Sequence, residues 1–257
     1  MPVKAGTAPA AEEAPIRLRA ATASSAIRIA AIYSDAVLAL AVLASTLAAA
    51  CPQNLANGIT TPAAARQLIT VEAKLARTTY AELLTWRREN GCWVAAAGPF
   101  GARVGKHGLS ANRREGDGST PTGTYRIGRT MYGTEANPGV RFGYRRLRCG
   151  DWWDEDPSSP TYNSFQHVAC GATPPFAGDS EGMWQQPRPY PYLAVVEYNM
   201  RPVVPGKGSG IFLHAQTGGP TIGCVSLRKA ELRAVLRWLR PAAAPVIAIG
   251  TRAQLRG

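Results

Sequence analysis

Residues 210–227 read G-I-F-L-H-A-Q-T-G-G-P-T-I-G-C-V-S-L. The apolar run Ile211-Phe-Leu is a short strand that ends on His214. A Gly/Pro loop follows, and Thr221-Ile222-Gly223-Cys224 then runs into Val225. Ser226 is a good helix N-cap, Leu232, Val235, Leu236 and Leu239 recur at helical spacing, and Pro241 stops the run. The pattern predicts a strand, a tight loop and a capped helix, with a thiol at the bend. Gly223 lets the backbone turn and leaves room for a substrate carbonyl. The amides around Gly223 and Cys224 would face a developing oxyanion. The dipole of the expected helix would favour a thiolate on Cys224. His214 lies ten residues upstream, within reach of the sulfur if the loop folds back. On these residues alone, a buried small Cys and a structural His remain open beside a catalytic pair.

Outward from this stretch the chain reads as mainly β. Tyr192–Tyr198, Y-L-A-V-V-E-Y, is a strand, Val246–Ile249 is another, and Thr124–Gly128 follows a Pro-Thr-Gly turn. From Gln67, Q-L-I-T-V-E-A and T-Y-A-E-L-L-T-W lead through Glu89-Asn90-Gly91 into C-W-V-A-A-A, which predicts a strand and a hairpin. A helix over 63–78 is the rival there, because Ala and Leu are frequent. Residues 106–119 are a Gly-rich loop, and 149–191 form a long irregular segment of the kind that serves as a lid or binding loop.

The 257 residues suit one domain with extensions: a leader over 1–50, a linker over 51–65, a catalytic domain over 66–250 and a tail over 251–257. Residues 36–50 are uncharged and apolar, with Arg17, Arg19 and Arg28 upstream and Ala48-Ala49-Ala50 at the end. That is the pattern of a signal peptide, with an anchor or a lipidated Cys51 as the alternatives. The expectation is export to the cell wall or the outer face of the membrane. The net charge of +12 comes from scattered Arg and Lys. It predicts weak attraction to an anionic envelope; with no nucleic-acid module present, no nucleic acid is expected as partner. Five cysteines show no metal-ligand spacing, so a metal site is not expected, and with no G-x-G-x-x-G or P-loop pattern no organic cofactor is expected either. In an oxidising compartment Cys149 and Cys170 can pair, a bridge worth about 3 kcal/mol in the chain-entropy model. Cys92 is either buried and inert or bridged to Cys51.

Two motifs together resemble the L,D-transpeptidase catalytic (YkuD-like) family. His214 on a strand, then Thr221, Gly223, Cys224 and Val225, is similar to the family's active-site motif. Ser119–Ile127, S-T-P-T-G-T-Y-R-I, is similar to its T-P-x-G strand, and Arg113–Ser119, R-R-E-G-D-G-S, resembles the preceding loop of one branch. The resemblance implies a β-sandwich with a few short helices over residues 66–250, acting as a monomer on peptidoglycan stem peptides. Cys224 would attack the carbonyl of the third residue, a diamino acid, and expel D-Ala. An amine acceptor would give a cross-link; water would make the enzyme an L,D-carboxypeptidase. The chain departs from the family at Ile222, where a second His is usual, and at Ser226, where Arg or Asn is common. Arg228 is one candidate for the missing cation. The carbonyl of Ala215 is the expected partner that orients His214. Thr221, Ile222 and Ser226 are expected around the substrate, and His167 along the cleft. Trp152, Trp153 and Trp184 are either a binding wall or core, and His107 is solvated. A different cysteine amidase, or a wall-binding module without activity, are the rival readings.

Overall fold

The computed structural model describes residues 50–177 and 180–257; the expected leader lies outside them. The described strands are β1 (Gln67–Ala73), β2 (Tyr80–Glu89), β3 (Cys92–Arg103), β4 (Leu109–Ser110), β5 (Thr120–Pro121), β6 (Gly123–Gly133), β7 (Gly143–Arg146), β8 (Asp151–Asp154), β9 (Ser164–His167), β10 (Glu181–Gly182), β11 (Leu193–Val196), β12 (Phe212–Ala215), β13 (Val225–Leu227) and β14 (Val246–Thr251). The described α-helices are α1 (Lys229–Trp238) and α2 (Arg252–Arg256). The main sheet runs β11-β12-β13-β3-β2-β1-β14-β6-β7, and β11 also pairs with β6. The sheet therefore curls back on itself into a β-sandwich-like body.

β1 is a strand because both of its faces are buried, which suits the β-branched run Ile69-Thr70-Val71. Ile69, Val71 and Ala73 face the main core with Ile247 and Ile249 of the parallel β14. Leu68 faces the opposite side with Trp86, Val246 and Ala248. The helix considered over 63–78 would have exposed one of these faces. Asn90 and Gly91 both take positive φ (48° and 83°), the geometry of a tight hairpin turn between β2 and β3.

Three stretches differ from expectation. Residues 51–65 are not a free linker. Leu55, Ala56, Ile59 and Ala65 fill the outer apolar cluster, and Cys51 is disulfide-bonded to Cys92. Residues 251–257 are not a free tail. Thr251 caps α2 in a capping box with Gln254, and Leu255 is buried in the same cluster. The segment 149–191 is not wholly irregular: β8, β9 and β10 form an antiparallel sheet, closed at its base by a Cys149–Cys170 disulfide.

The Cys51–Cys92 bridge spans 41 residues. Replacing both cysteines with Ser should lower stability by about 4 kcal/mol in urea denaturation. A loss below ~1 kcal/mol would mean that burial of Leu55, Ala56 and Ile59 alone holds this segment.

Candidate active site

β12 and β13 pair in parallel, with Leu213 opposite Val225, His214 opposite Ser226 and Ala215 opposite Leu227. Side chains alternate along each strand. Leu213, Ala215, Val225 and Leu227 therefore enter the main core. His214 and Ser226 point the other way, into a cleft of about 620 Å³ that Cys224 also lines. Phe212, on that same face, is fully buried and packs edge-on against Trp153 and Tyr190.

The parallel ladder also corrects the reading of Ser226. Its backbone belongs to β13, so the helix starts only at Lys229, with Arg228 as its cap residue. Cys224 stands before a strand, and no helix dipole acts on it.

Burial pushes the Cys224 thiol up to about 12, with Glu181 and Glu155 adding to it; the Phe212 amide and Arg113 oppose it. The thiol donates to the Gly210 carbonyl at 3.2 Å and accepts from the Phe212 N–H at 3.3 Å. Burial likewise lowers His214 to about 4, with the Ala215 and Pro189 carbonyls holding it back. His214 Nδ1 lies 2.8 Å from the Ala215 carbonyl oxygen. That contact assigns the proton to Nδ1 and leaves Nε2 free to accept one. The Tyr190 ring braces the imidazole edge-on at 5.5 Å between centroids. The resting state is thus a neutral thiol with a neutral imidazole.

Thr221 closes the turn before the cysteine. Its Oγ1 donates to the Cys224 carbonyl at 2.7 Å and accepts from the Gly223 N–H at 3.2 Å. The Gly223 amide is therefore engaged at rest and does not face an open oxyanion position. Gly223 has φ +144°, and a Cβ there would collide with the Arg113 guanidinium. Ile222 is 68% exposed at the cleft rim.

Glu155, Glu181, Tyr190 and Trp152 form the opposite wall. Glu181 accepts from the Tyr190 hydroxyl at 2.7 Å, and burial raises its carboxyl above the usual range. Among the tryptophans, Trp152 lines the cleft and packs on Trp184 at 5.1 Å, whereas Trp153 is core. His167 is not in the cleft. The β8–β9 register sets it opposite Asp151, 2.7 Å from that buried carboxylate, which also binds Arg145. His107 lies in its loop against the Asp117 carbonyl. Arg228 is exposed and does not line the cleft. Among the described residues no cluster of His, Cys, Asp and Glu is placed to hold a metal ion.

The family model for the L,D-transpeptidase catalytic domain, YkuD, matches residues 70–248. The chain belongs to this family. No match was found among curated proteins or among solved structures. Membership makes the chain an L,D-transpeptidase-type enzyme of peptidoglycan. In this L,D-transpeptidase domain the sequence motif brought Cys224, His214, Thr221 and Ser226 to one place. Sequence reasoning missed Glu155, Glu181 and Tyr190, which come from a segment with no motif. It quoted Arg113 only as part of a loop.

Acidification should destabilise the fold through His214. The unfolded imidazole binds a proton near pH 6.5, whereas the folded ring does so only near 4. The unfolded state thus binds more protons between these values, and stability falls as pH drops across that window. Glu181, with its raised carboxyl, acts in the opposite sense. Urea midpoints at pH 7 and 4.5 should fall further in wild type than in His214→Gln. Equal falls would remove His214 as the cause.

Proposed function

We propose that the protein is an exported cysteine L,D-transpeptidase, with Cys224 as nucleophile and His214 as its base. The observation that carries this reading is that His214 on β12 and Cys224, just before β13, line one cleft while Nδ1 of His214 is tied to Ala215. The substrate is a stem tetrapeptide. Its diamino-acid carbonyl would lie over Cys224, and its free side-chain amine suits the carboxylates of Glu155 and Glu181 in the wall. Two disulfides support an oxidising, extracytoplasmic location.

Because thiol and imidazole rest neutral, no ion pair waits in the site. Nε2 of His214 takes the Cys224 proton as the sulfur attacks, which is general-base catalysis of a thiol. The C–N bond to D-Ala then breaks, and the imidazolium returns the proton to the departing amine. The thioester is opened by the amine of a neighbouring stem, which loses a proton to His214 and forms the new amide. The proton passes back to the sulfur. Water in place of that amine gives the L,D-carboxypeptidase reaction.

The high resting pKa of Cys224, with Ile222 where the family usually has His, favours a second reading: a wall-binding module without turnover.

Mass spectrometry of the protein with purified disaccharide-tetrapeptide separates the two. A cross-linked dimer or loss of D-Ala is expected, absent in Cys224→Ala and reduced about 10²- to 10⁴-fold in His214→Ala. Binding without any product in wild type would support the module. Glu181→Gln should raise KM for the tetrapeptide more than it lowers kcat, through loss of a charge facing the substrate amine.

A further inference from the structure

We propose that Arg113 is a positioning residue for Cys224: its guanidinium ties together the two turns that frame the sulfur and fixes a positive charge behind it. The inference rests on reading Cys224 as the nucleophile. Arg113 belongs to the loop before β5, and its side chain is only 4% exposed. One guanidinium nitrogen, Nη1, donates to the Ser119 carbonyl at 2.5 Å and to the Ile222 carbonyl at 3.3 Å. The other, Nη2, donates to the Ser209 carbonyl at 3.4 Å. Ile222 is two residues before Cys224, and Ser209 precedes Gly210, whose carbonyl accepts the thiol proton. One planar group thus spans both sides of the nucleophile.

The fit depends on glycine. A Cβ on Gly208 would lie 2.6 Å from Nε of Arg113, and one on Gly223 would overlap Nη1. Both positions also hold positive φ, +109° and +144°. Asp117 and Glu115 balance part of the charge. Burial keeps what remains effective at short range.

The titratable and charged groups facing Cys224 are Arg113, Glu155 after β8, Glu181 on β10, Tyr190 before β11 and His214 on β12. Those facing Arg113 are Glu115 at 4.0 Å, Asp117 at 3.4 Å and Tyr198. Arg113 is the only cation in the first set. It occupies the electrostatic place that Arg228 was expected to fill.

The test is alkylation of Cys224 in the intact protein by neutral iodoacetamide and anionic iodoacetate. At pH 8, Arg113→Gln should react with iodoacetamide about tenfold more slowly, equivalent to one pKa unit. The rate ratio of iodoacetate to iodoacetamide cancels thiolate fraction and access to the sulfur, and should fall by about threefold or more as the local charge is removed. Arg113→Lys should recover most of that ratio. Arg113→Met, which fills the same volume without charge, stands in should the Gln variant not fold. An unchanged ratio in the neutral variants, or no recovery with Lys, overturns the proposal. Alkylation needs no muropeptide, so a failure of the transpeptidase reading in turnover assays leaves this result readable.

Discussion

The site depends on one constraint: β12 and β13 run parallel, in a register that sets His214 beside Ser226. A parallel pair needs a crossover, yet only nine residues separate Ala215 from Val225. That crossover is the Gly218-Gly219-Pro220 loop with the Thr221–Cys224 turn. It stays short because Thr221 bonds both the Gly223 amide and the Cys224 carbonyl. Thr120 on β5 adds a second bond to the same carbonyl, at 3.2 Å. The S-T-P-T-G segment and the cysteine turn, distant in sequence, are therefore one structural unit. Losing the register by one residue would turn His214 into the apolar core and Leu213 into the cleft.

The same burial that fixes this geometry opposes charge on both partners. Thiolate and imidazolium are each disfavoured by it. A neutral resting thiol suits an oxidising compartment, because oxidation requires the thiolate. It also fits the disulfide pattern: four of the five cysteines are bridged, and Cys224 is the free one. The cleft wall pushes further in this direction, since Glu155 and Glu181 both disfavour a thiolate. A cationic substrate amine seated against them would cancel that effect. Substrate binding would then itself ready the sulfur.

Much of the strand pattern was legible because it follows from burial. β1, β11 and β14 announce themselves as apolar, β-branched runs, β12 as a short apolar run ending on His214, and Asn90-Gly91 as a hairpin. The candidate pair Cys224 and His214 was legible through its motif, and both residues line one cleft. What could not be read was pairing. Ser226 looks like a cap because Ser commonly caps helices, but an adjacent parallel strand claims its backbone first. His167 looks like a cleft residue until the β8–β9 register hands it to Asp151. Residues 51–65 look like a linker because their few apolar side chains are spaced without a period, and the surface they fill, made by Leu68, Trp86, Trp93, Val246 and Ala248, exists only once the sheet has formed.

Arg113 ties its loop to the cysteine turn through main-chain carbonyls. The family's usual second His sits two residues before the cysteine; here the side chain of Ile222 projects outward, but its carbonyl points inward and accepts from Arg113. The guanidinium comes from a loop about 110 residues away in sequence, and it fits because positions 208 and 223 are glycine. A buried guanidinium needs several acceptors to offset its desolvation. Three main-chain carbonyls and the nearby Asp117 supply them. Main-chain acceptors do not titrate, so that part of the support is independent of pH. Under the proposed reading, Arg113 would give Cys224 a permanent charge where an imidazole would titrate, and the pH response of the sulfur would rest with His214 and the cleft carboxylates.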